Sequence, residues 1–310
     1  MGKNYTAREH TLPESLAGMR MDRALAQMFP QYSRSRLQAW LKSGHVRVKR
    51  GANDLQVDGS TPVLGGERVE LAPPPAHDAR MPRAQRMPLD IVFEDRDLIV
   101  INKPVGLIVH PGAGNPDRTL MNALLAHQPA LRQVPRAGIV HRLDKDTSGL
   151  LVVAKNLTAQ ARLAEQLAAR SVKRTYLAVV HGDPLARGTI DAAIGRDTRV
   201  RTRMAVSHRG KQARTNYRVL ERFGKAALLE CRLDTGRTHQ IRVHLQHIRH
   251  PIVGDPVYRR GTRPGIAFAR QALHAAELEL AHPRSGKRMH WSAPLPGDMA
   301  ALLARLRHEG

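Results

Sequence analysis

The stretch GIVHRLDKDTSGLLVVAKN, Gly138–Asn156, joins a crowded polar cluster, HRLDKDTSG, directly to an apolar run, LLVV at Leu150–Val153. The run has the length and composition of a buried strand. The cluster before it packs a histidine, two basic residues and two aspartates into nine positions. A plain turn accounts for such residues, with each aspartate capping a backbone or pairing with an arginine. A site in which one aspartate performs chemistry accounts for them as well. The surrounding sequence decides between the two.

Strand-like runs lie on both sides of this stretch: DIVFED and LIVINK before it, TYLAVV, ALLECRL and IRVHL after it. A helix-like segment, LTAQARLAEQLAAR, separates two of them. Many strands with one or two helices predict an α+β domain on a mixed, mainly antiparallel sheet, here over residues 89–305. The proline-rich, basic segment at 73–88 reads as a linker. Residues 17–72 read as a small separate unit. In it, RMDRALAQMF carries Met21, Leu25 and Met28 at helical spacing. SRSRLQAWLKSG predicts a second helix, with Ser33 as N-cap, Leu37, Trp40 and Leu41 as its apolar stripe and Gly44 just past its end. HVRVKR and LGGERVEL follow as strands.

The chain has 310 residues, enough for two domains, and its 42% apolar content is ordinary for a globular protein. No apolar run reaches the roughly 18 residues of a membrane span, and the polar N-terminus lacks the apolar core of a signal peptide. Cys231, the sole cysteine, is read as a packing residue. A soluble, cytoplasmic protein is expected, and nothing demands more than a monomer.

Charge narrows the partner. Lys and Arg number 50 against 27 Asp and Glu, a net of +23. That balance points to a nucleic acid; an anionic membrane is disfavoured because no long basic amphipathic helix is evident. Aromatics are only 4%, which argues against a generic single-strand binder built on many stacking platforms. Residues 1–72 hold 11 basic and 7 acidic residues, whereas 73–310 hold 39 and 20, so most of the excess lies in the larger unit. Its densest basic stretch, Gly195–Arg214, is read as a phosphate-contacting arm. Arg34, Arg36 and Lys42 on the second small helix are candidate phosphate contacts.

Several chemistries fit poorly. There is no GxGxxG after a strand, no GxxxxGK[ST] and no CxxC pair, so nucleotide cofactors and structural zinc lack support. His239, His244, His247 and His250 cluster without a metal-binding spacing, and no metal site is assigned. A glycosidase needs one carboxyl kept protonated in an apolar setting, which Asp144 and Asp146 lack. Ser148 with His141 lacks a nucleophile-elbow context.

GIVHRLDKDTSGLLVVAKN, KRTYLAVVHG and LDTGRTHQIRVHLQHIRHPIVGDPVY together resemble the RluA-type family of RNA pseudouridine synthases, with EDRDLIVINKPVGLIVHPGAGN and RQALHAAELELAHPRSG matching the same pattern. The small unit resembles an S4 RNA-binding domain through Arg20, Asp22, Ser33, Arg34, Arg36, Leu37, Gly44, Val46 and Val48. The resemblance implies an isomerase that detaches uracil from ribose and rejoins it through carbon, without metal, redox step or cofactor. It implies 23S rRNA, or a large ribosomal subunit precursor, as partner, with the target in the stem-loop near the decoding centre. It implies Asp144 as the essential carboxylate, attacking the ribose or assisting deprotonation there. Arg237 is then its guanidinium partner, Tyr176 stacks on the uracil with its hydroxyl available for proton transfer, and Arg142 holds the space or backbone left by the flipped nucleotide. Asp146, His141 and His239 are given no catalytic role. A non-catalytic RNA-binding assembly factor on the same fold is the alternative, and an RNA N-glycosidase using the same aspartate a more distant one.

Overall fold

The computed structural model describes residues 8–30, 32, 34–72, 82–112, 114–200, 203–259 and 266–309, without the side chains of Arg8, Ser35 and Arg36. The Ser33 cap, most of the expected linker, the Arg36 side chain and two positions of the basic stretch, Arg201 and Thr202, fall outside the described residues. The chain divides into two compact units, 1–81 and 82–310.

In the first unit, β1 (Arg8–Thr11), α1 (Met21–Met28), α2 (Arg34–Lys42), β2 (Val46–Arg50), β3 (Asn53–Leu55) and β4 (Arg68–Leu71) follow one another. The strands form an antiparallel sheet in the order β1-β4-β2-β3. Met21, Ala24 and Leu25 of α1 and Leu37 of α2 are buried with Val46, Val48, Val69 and Leu71 of the sheet. Period 3.6 on the helices and period 2 on β2 thus bring one apolar face of each element into a shared core. α2 ends where Gly44 takes φ 77°, and the His45 N–H closes back on the Trp40 carbonyl at 2.9 Å. Asp22, in the first turn of α1, has no exposed surface. Its carboxylate accepts from Arg20 (3.1 Å), Arg34 (2.7 Å) and Gln38 (2.6 Å).

The second unit contains β5 (Ile91–Glu94), β6 (Leu98–Lys103), α3 (Leu120–His127), β7 (Ser148–Ala154), α4 (Leu157–Ala168), β8 (Lys173–His181), β9 (Arg187–Asp191), β10 (Ile194–Arg196), β11 (Met204–Val206), β12 (Arg214–Arg222), β13 (Ala226–Leu233), α5 (Gln240–His247), β14 (Leu273–Ala281), β15 (Arg288–Ser292) and α6 (Gly297–Glu309). Its main sheet runs β5-β6-β7-β14-β8-β13-β12-β9, with β15 beside β14 and β10–β11 forming a separate hairpin. Every pairing is antiparallel except β7 with β14. The fold is therefore α+β on a mixed, mainly antiparallel sheet.

All seven residues of β7 are buried, because both faces of the sheet are covered. Ile99, Ile101, Leu151 and Val153 belong to one core cluster with residues of α3 and α6, whereas Leu98, Val100, Leu150 and Val152 belong to another with Ala159 and Leu163 of α4. Gly149 starts the parallel crossing at φ 107°, and a Cβ there would overlap the Ala275 carbonyl of β14.

Two expectations are corrected. Among its described residues the larger unit has four α-helices, not one or two: α3, opened by a capping box of Thr119 and Asn122, and α6 join α4 and α5. IRVHL is not a strand but part of α5. Gln240 to Leu245 are all buried there, polar and apolar alike. A helical stretch buried on every face carries no polar stripe, so the sequence of these six residues does not display the helical period.

Candidate active site

The polar cluster forms the turn that precedes β7. The Thr147 N–H bonds the Asp144 carbonyl at 3.1 Å. Three groups hold this turn from outside. The Gly106 N–H (3.0 Å) and Lys103 Nζ (3.0 Å) donate to the Lys145 carbonyl, and Arg270 Nη1 donates to the Asp146 carbonyl (3.0 Å). Lys103 is fully buried on β6 and also donates to the Pro104 and Leu107 carbonyls at 2.7 and 3.0 Å. Burial lowers its ammonium to about 8, against the opposing pull of Asp146 and Asp144. Backbone placed this way is not free to move with its side chains, and Asp144 is presented into a cavity of about 390 Å³. That volume is in the range of small-ligand sites.

Tyr176, Arg142, Arg237, His239 and Arg242 line the same cavity. Tyr176 comes from the middle of the sheet, between Ala275 of β14 and Cys231 of β13. It is 5% exposed, and burial pushes its hydroxyl above the ordinary phenol value. Cys231 on the neighbouring strand is fully buried, its thiol pushed up to about 12 by burial. Arg142, two residues before Asp144, is exposed at the cavity wall.

The guanidinium bonded to Asp144 is Arg242, not Arg237. Arg242 Nη1 donates to Asp144 Oδ2 at 2.9 Å, and its Nε and Nη2 make a fork on Asp255 at 2.6 and 2.9 Å. Burial works against the Arg242 charge, but the hydrogen bonds and charge of Asp255, then of Asp144, outweigh it and raise its pKa. Arg237 lies before the helix; its Nε donates to the Gln212 carbonyl at 3.0 Å. Its backbone N–H bonds Gln240 Oε1 at 3.0 Å, helping to close the loop that starts α5. The helical period explains the correction: His239 and Arg242, three apart, share a face, while Arg237 precedes the first turn. Read as a strand, this segment offered no such choice.

Three further residues at this centre had no assigned role from sequence: Lys103, Asp255 and Tyr258. Tyr258 is 1% exposed, and Asp255 also caps its own turn through the N–H groups of Val257 and Tyr258. The VGDPVY segment was visible in the motif, but its Asp255 meets Asp144 through Arg242, a link the motif does not display.

The four histidines do not converge. His244 uses both ring nitrogens on Thr215 and the Ala192 carbonyl, and His250 contacts the His181 carbonyl. Among the described residues, Asp95, Asp97 and His282 are close enough together to suggest ligands. Their atoms are already engaged, however, with one another, Arg284, Asn156 and backbone N–H groups. Ser148 donates toward His274, both buried, so neither faces a substrate. His141, held down to about 3 by burial, accepts from the Val152 N–H.

Of the expected RNA contacts in the small unit, Lys42 is exposed in the last turn of α2. Arg34 is committed to buried Asp22. Among the described residues, no helix is long and apolar enough to cross a membrane.

The segment that carries β6, the Asp144 turn and the whole of α5 is shared with known proteins. Residues 97–247 match the family described as RNA pseudouridylate synthase, and full-length relatives with that activity in their names exceed half identity. The chain belongs to the RNA pseudouridine synthase family and is an isomerase of that class. Among individual relatives, the ribosomal large subunit pseudouridine synthase D of Nitrosomonas europaea is 52% identical over 99% of this chain and 94% of its own. The protein of that name from Escherichia coli strain K12 is 51% identical over 96% and 93%. Among solved structures, human RNA pseudouridylate synthase domain containing 1 is 30% identical with a TM-score of 0.52, over 71% of this chain and 95% of its own.

Proposed function

We propose that this enzyme converts uridine to pseudouridine in large-subunit ribosomal RNA, in the stem-loop near the decoding centre, with Asp144 as its essential group. The observation that carries this reading is the convergence of Asp144, Tyr176 and Arg242 in one cavity, on a turn clamped by Lys103 and Arg270. The net reaction breaks the bond from uracil N1 to ribose C1′ and forms one from C5 to C1′. The C5 proton is lost, and N1 gains one. No electrons leave the substrate, so the chemistry asks for a positioned carboxylate and a closed cavity.

The target uridine must leave its stack, at a cost of a few kcal/mol in a duplex and less in a loop. Exposed Arg142 is placed to fill the gap or hold the turned-out backbone. Tyr176 stacks on the uracil, and its hydroxyl, kept protonated by burial, is a hydrogen-bond donor beside it. Asp144 acts at the ribose, by attack on C1′ or by assisting deprotonation. Residues 17–72 serve as an S4-like RNA-binding domain, 73–88 as its linker and 89–305 as the catalytic domain. Lys42 is the described phosphate contact of the small domain; Arg34 stabilises the helix pair that presents it.

The reading is tested by incubating the protein with unmodified 23S rRNA, without metal or cofactor, and mapping pseudouridine. Discrete new sites that disappear with Asp144→Asn, at near-unchanged RNA affinity, are expected. Full activity of that variant refutes the role of Asp144. Tight binding without modification, on free RNA and on subunits, replaces the enzyme reading with that of an assembly factor.

A further inference from the structure

Arg242 reaches only one oxygen of Asp144. Its single hydrogen bond to Oδ2 leaves the carboxylate free to rotate about Cβ–Cγ, and Oδ1 still needs a partner. The group that faces Oδ1 is His239, with Nε2 at 3.8 Å. The other ring nitrogen is fixed. Nδ1 lies 2.8 Å from the Tyr258 hydroxyl, and that hydroxyl accepts from the Met204 N–H at 3.0 Å. A tyrosine hydroxyl carries one proton. Among the described residues, its other bonded neighbour is His239 Nδ1, so the proton points there. Nδ1 is then the acceptor, and the ring proton sits on Nε2, aimed at Asp144. The Met204 N–H at one end can only donate, which leaves the phenol proton for the imidazole.

The backbone at His239 supports a purpose for this placement. It takes φ 56° and ψ 22°, left-handed, at the start of α5. Glycine adopts that conformation more cheaply than an imidazole-bearing residue, so a histidine kept here is consistent with a use for its side chain. Burial also lowers the imidazole's affinity for a second proton, and among its charged surroundings Arg242 and Arg142 act in the same sense against Asp144 and Asp255.

We infer that His239 is a positioning residue for the uridine isomerisation: held as the Nε2–H tautomer by Tyr258, it donates to Asp144 Oδ1 once substrate fills the cavity, and with Arg242 locks the carboxylate plane. The present 3.8 Å separation is longer than a hydrogen bond, as such contacts often are before substrate arrives. Two donors on two oxygens fix the lone pair that faces the ribose, which one donor cannot do. A neutral donor does so without placing a second full positive charge on the carboxylate. This inference rests on the proposed role of Asp144, and its tests separate the two.

Nitrogen-15 spectra of histidine-labelled protein, with His239 assigned by loss of its signals in His239→Gln, should show a protonated Nε2 and an unprotonated Nδ1. A proton on Nδ1 instead overturns the inference whatever Asp144 does. Single-turnover rates on a large-subunit rRNA transcript supply the second test. His239→Gly, which suits the left-handed backbone, should slow the chemical step about tenfold or more with RNA affinity within about threefold. His239→Gln, whose amide can reach toward Oδ1, should recover most of that loss. Tyr258→Phe removes the donor to Nδ1, frees that nitrogen for protonation, and should move the acid limb of the rate profile to higher pH. If Asp144→Asn is inactive while His239→Gly and Tyr258→Phe turn over at the original rate with an unmoved profile, His239 has no part in positioning. If Asp144→Asn is fully active, it is the role of Asp144 that fails.

Discussion

Arg242 Nη1 lies 2.9 Å from Asp144 Oδ2, across 98 positions of sequence. The remainder of its guanidinium is clamped on Asp255, so the Asp144 turn and helix α5 are tied through one planar group with all three of its nitrogens in use. A fork of this kind constrains direction as well as distance.

Arg242→Lys keeps the charge and loses the fork, because an ammonium cannot span Asp255 and reach Asp144 in plane. The chemical step should slow by about 100-fold with RNA affinity nearly retained. Arg242→Ala removes the cation bonded between Asp144 and Asp255 and should cost about 3–5 kcal/mol of stability. Single-turnover kinetics and denaturant unfolding measure the two effects separately.

Arg237→Ala should behave differently from either. Its side chain contacts a carbonyl at the cavity rim and not the Asp144 carboxylate. Any loss should appear in RNA affinity, with a reduced salt slope if the guanidinium meets a phosphate, while the chemical step stays within about threefold. A loss in the chemical step as deep as that of Arg242→Lys would return Arg237 to the centre of the reaction.

Lys103→Met should uncouple the Asp144 turn from β6. The Pro104 and Leu107 carbonyls lose this donor and the Lys145 carbonyl is left with the Gly106 N–H, at part-buried positions, a change of about 1–3 kcal/mol or more. Both stability and activity should fall, and hydrogen exchange at the turn amides should rise more than at β7. Equal protection in the variant would show that the turn is held without Lys103.

Acid should loosen the small unit. Hydrogen bonds from Arg20 and then Arg34 hold the Asp22 carboxyl well below its usual range, against the opposing effect of burial. A carboxylate with a depressed native pKa contributes stability that is complete above its unfolded value of about 3.9 and drains away as pH falls below it. Trp40 fluorescence in a Trp291→Phe background should report a melting temperature that declines below about pH 4. Asp22→Asn should lower that temperature at neutral pH and flatten its acid dependence.

Much of this molecule was legible in one dimension. The continuous apolar run after HRLDKDTSG marked a strand covered on both faces, and β7 is that strand. The period of RMDRALAQMF and the alternation of HVRVKR marked α1 and β2, because each element meets solvent on one side and core on the other. Asp144, Tyr176 and Arg142 could be named from motifs that sit on or next to strands of the sheet. What only the tertiary structure decided is which arginine serves Asp144. Gln240 to Leu245 of α5 are buried whichever face they lie on, so they show no amphipathic period, and the choice between Arg237 and Arg242 depends on a helical turn that the pattern does not display. The roles of Lys103, Asp255 and Tyr258 were equally hidden, since each acts through a partner 13 to 98 residues distant from it or from the residue it supports. Local periodicity records what one element buries; the pairing of charges between elements depends on how they pack, and that is a property of the folded chain alone.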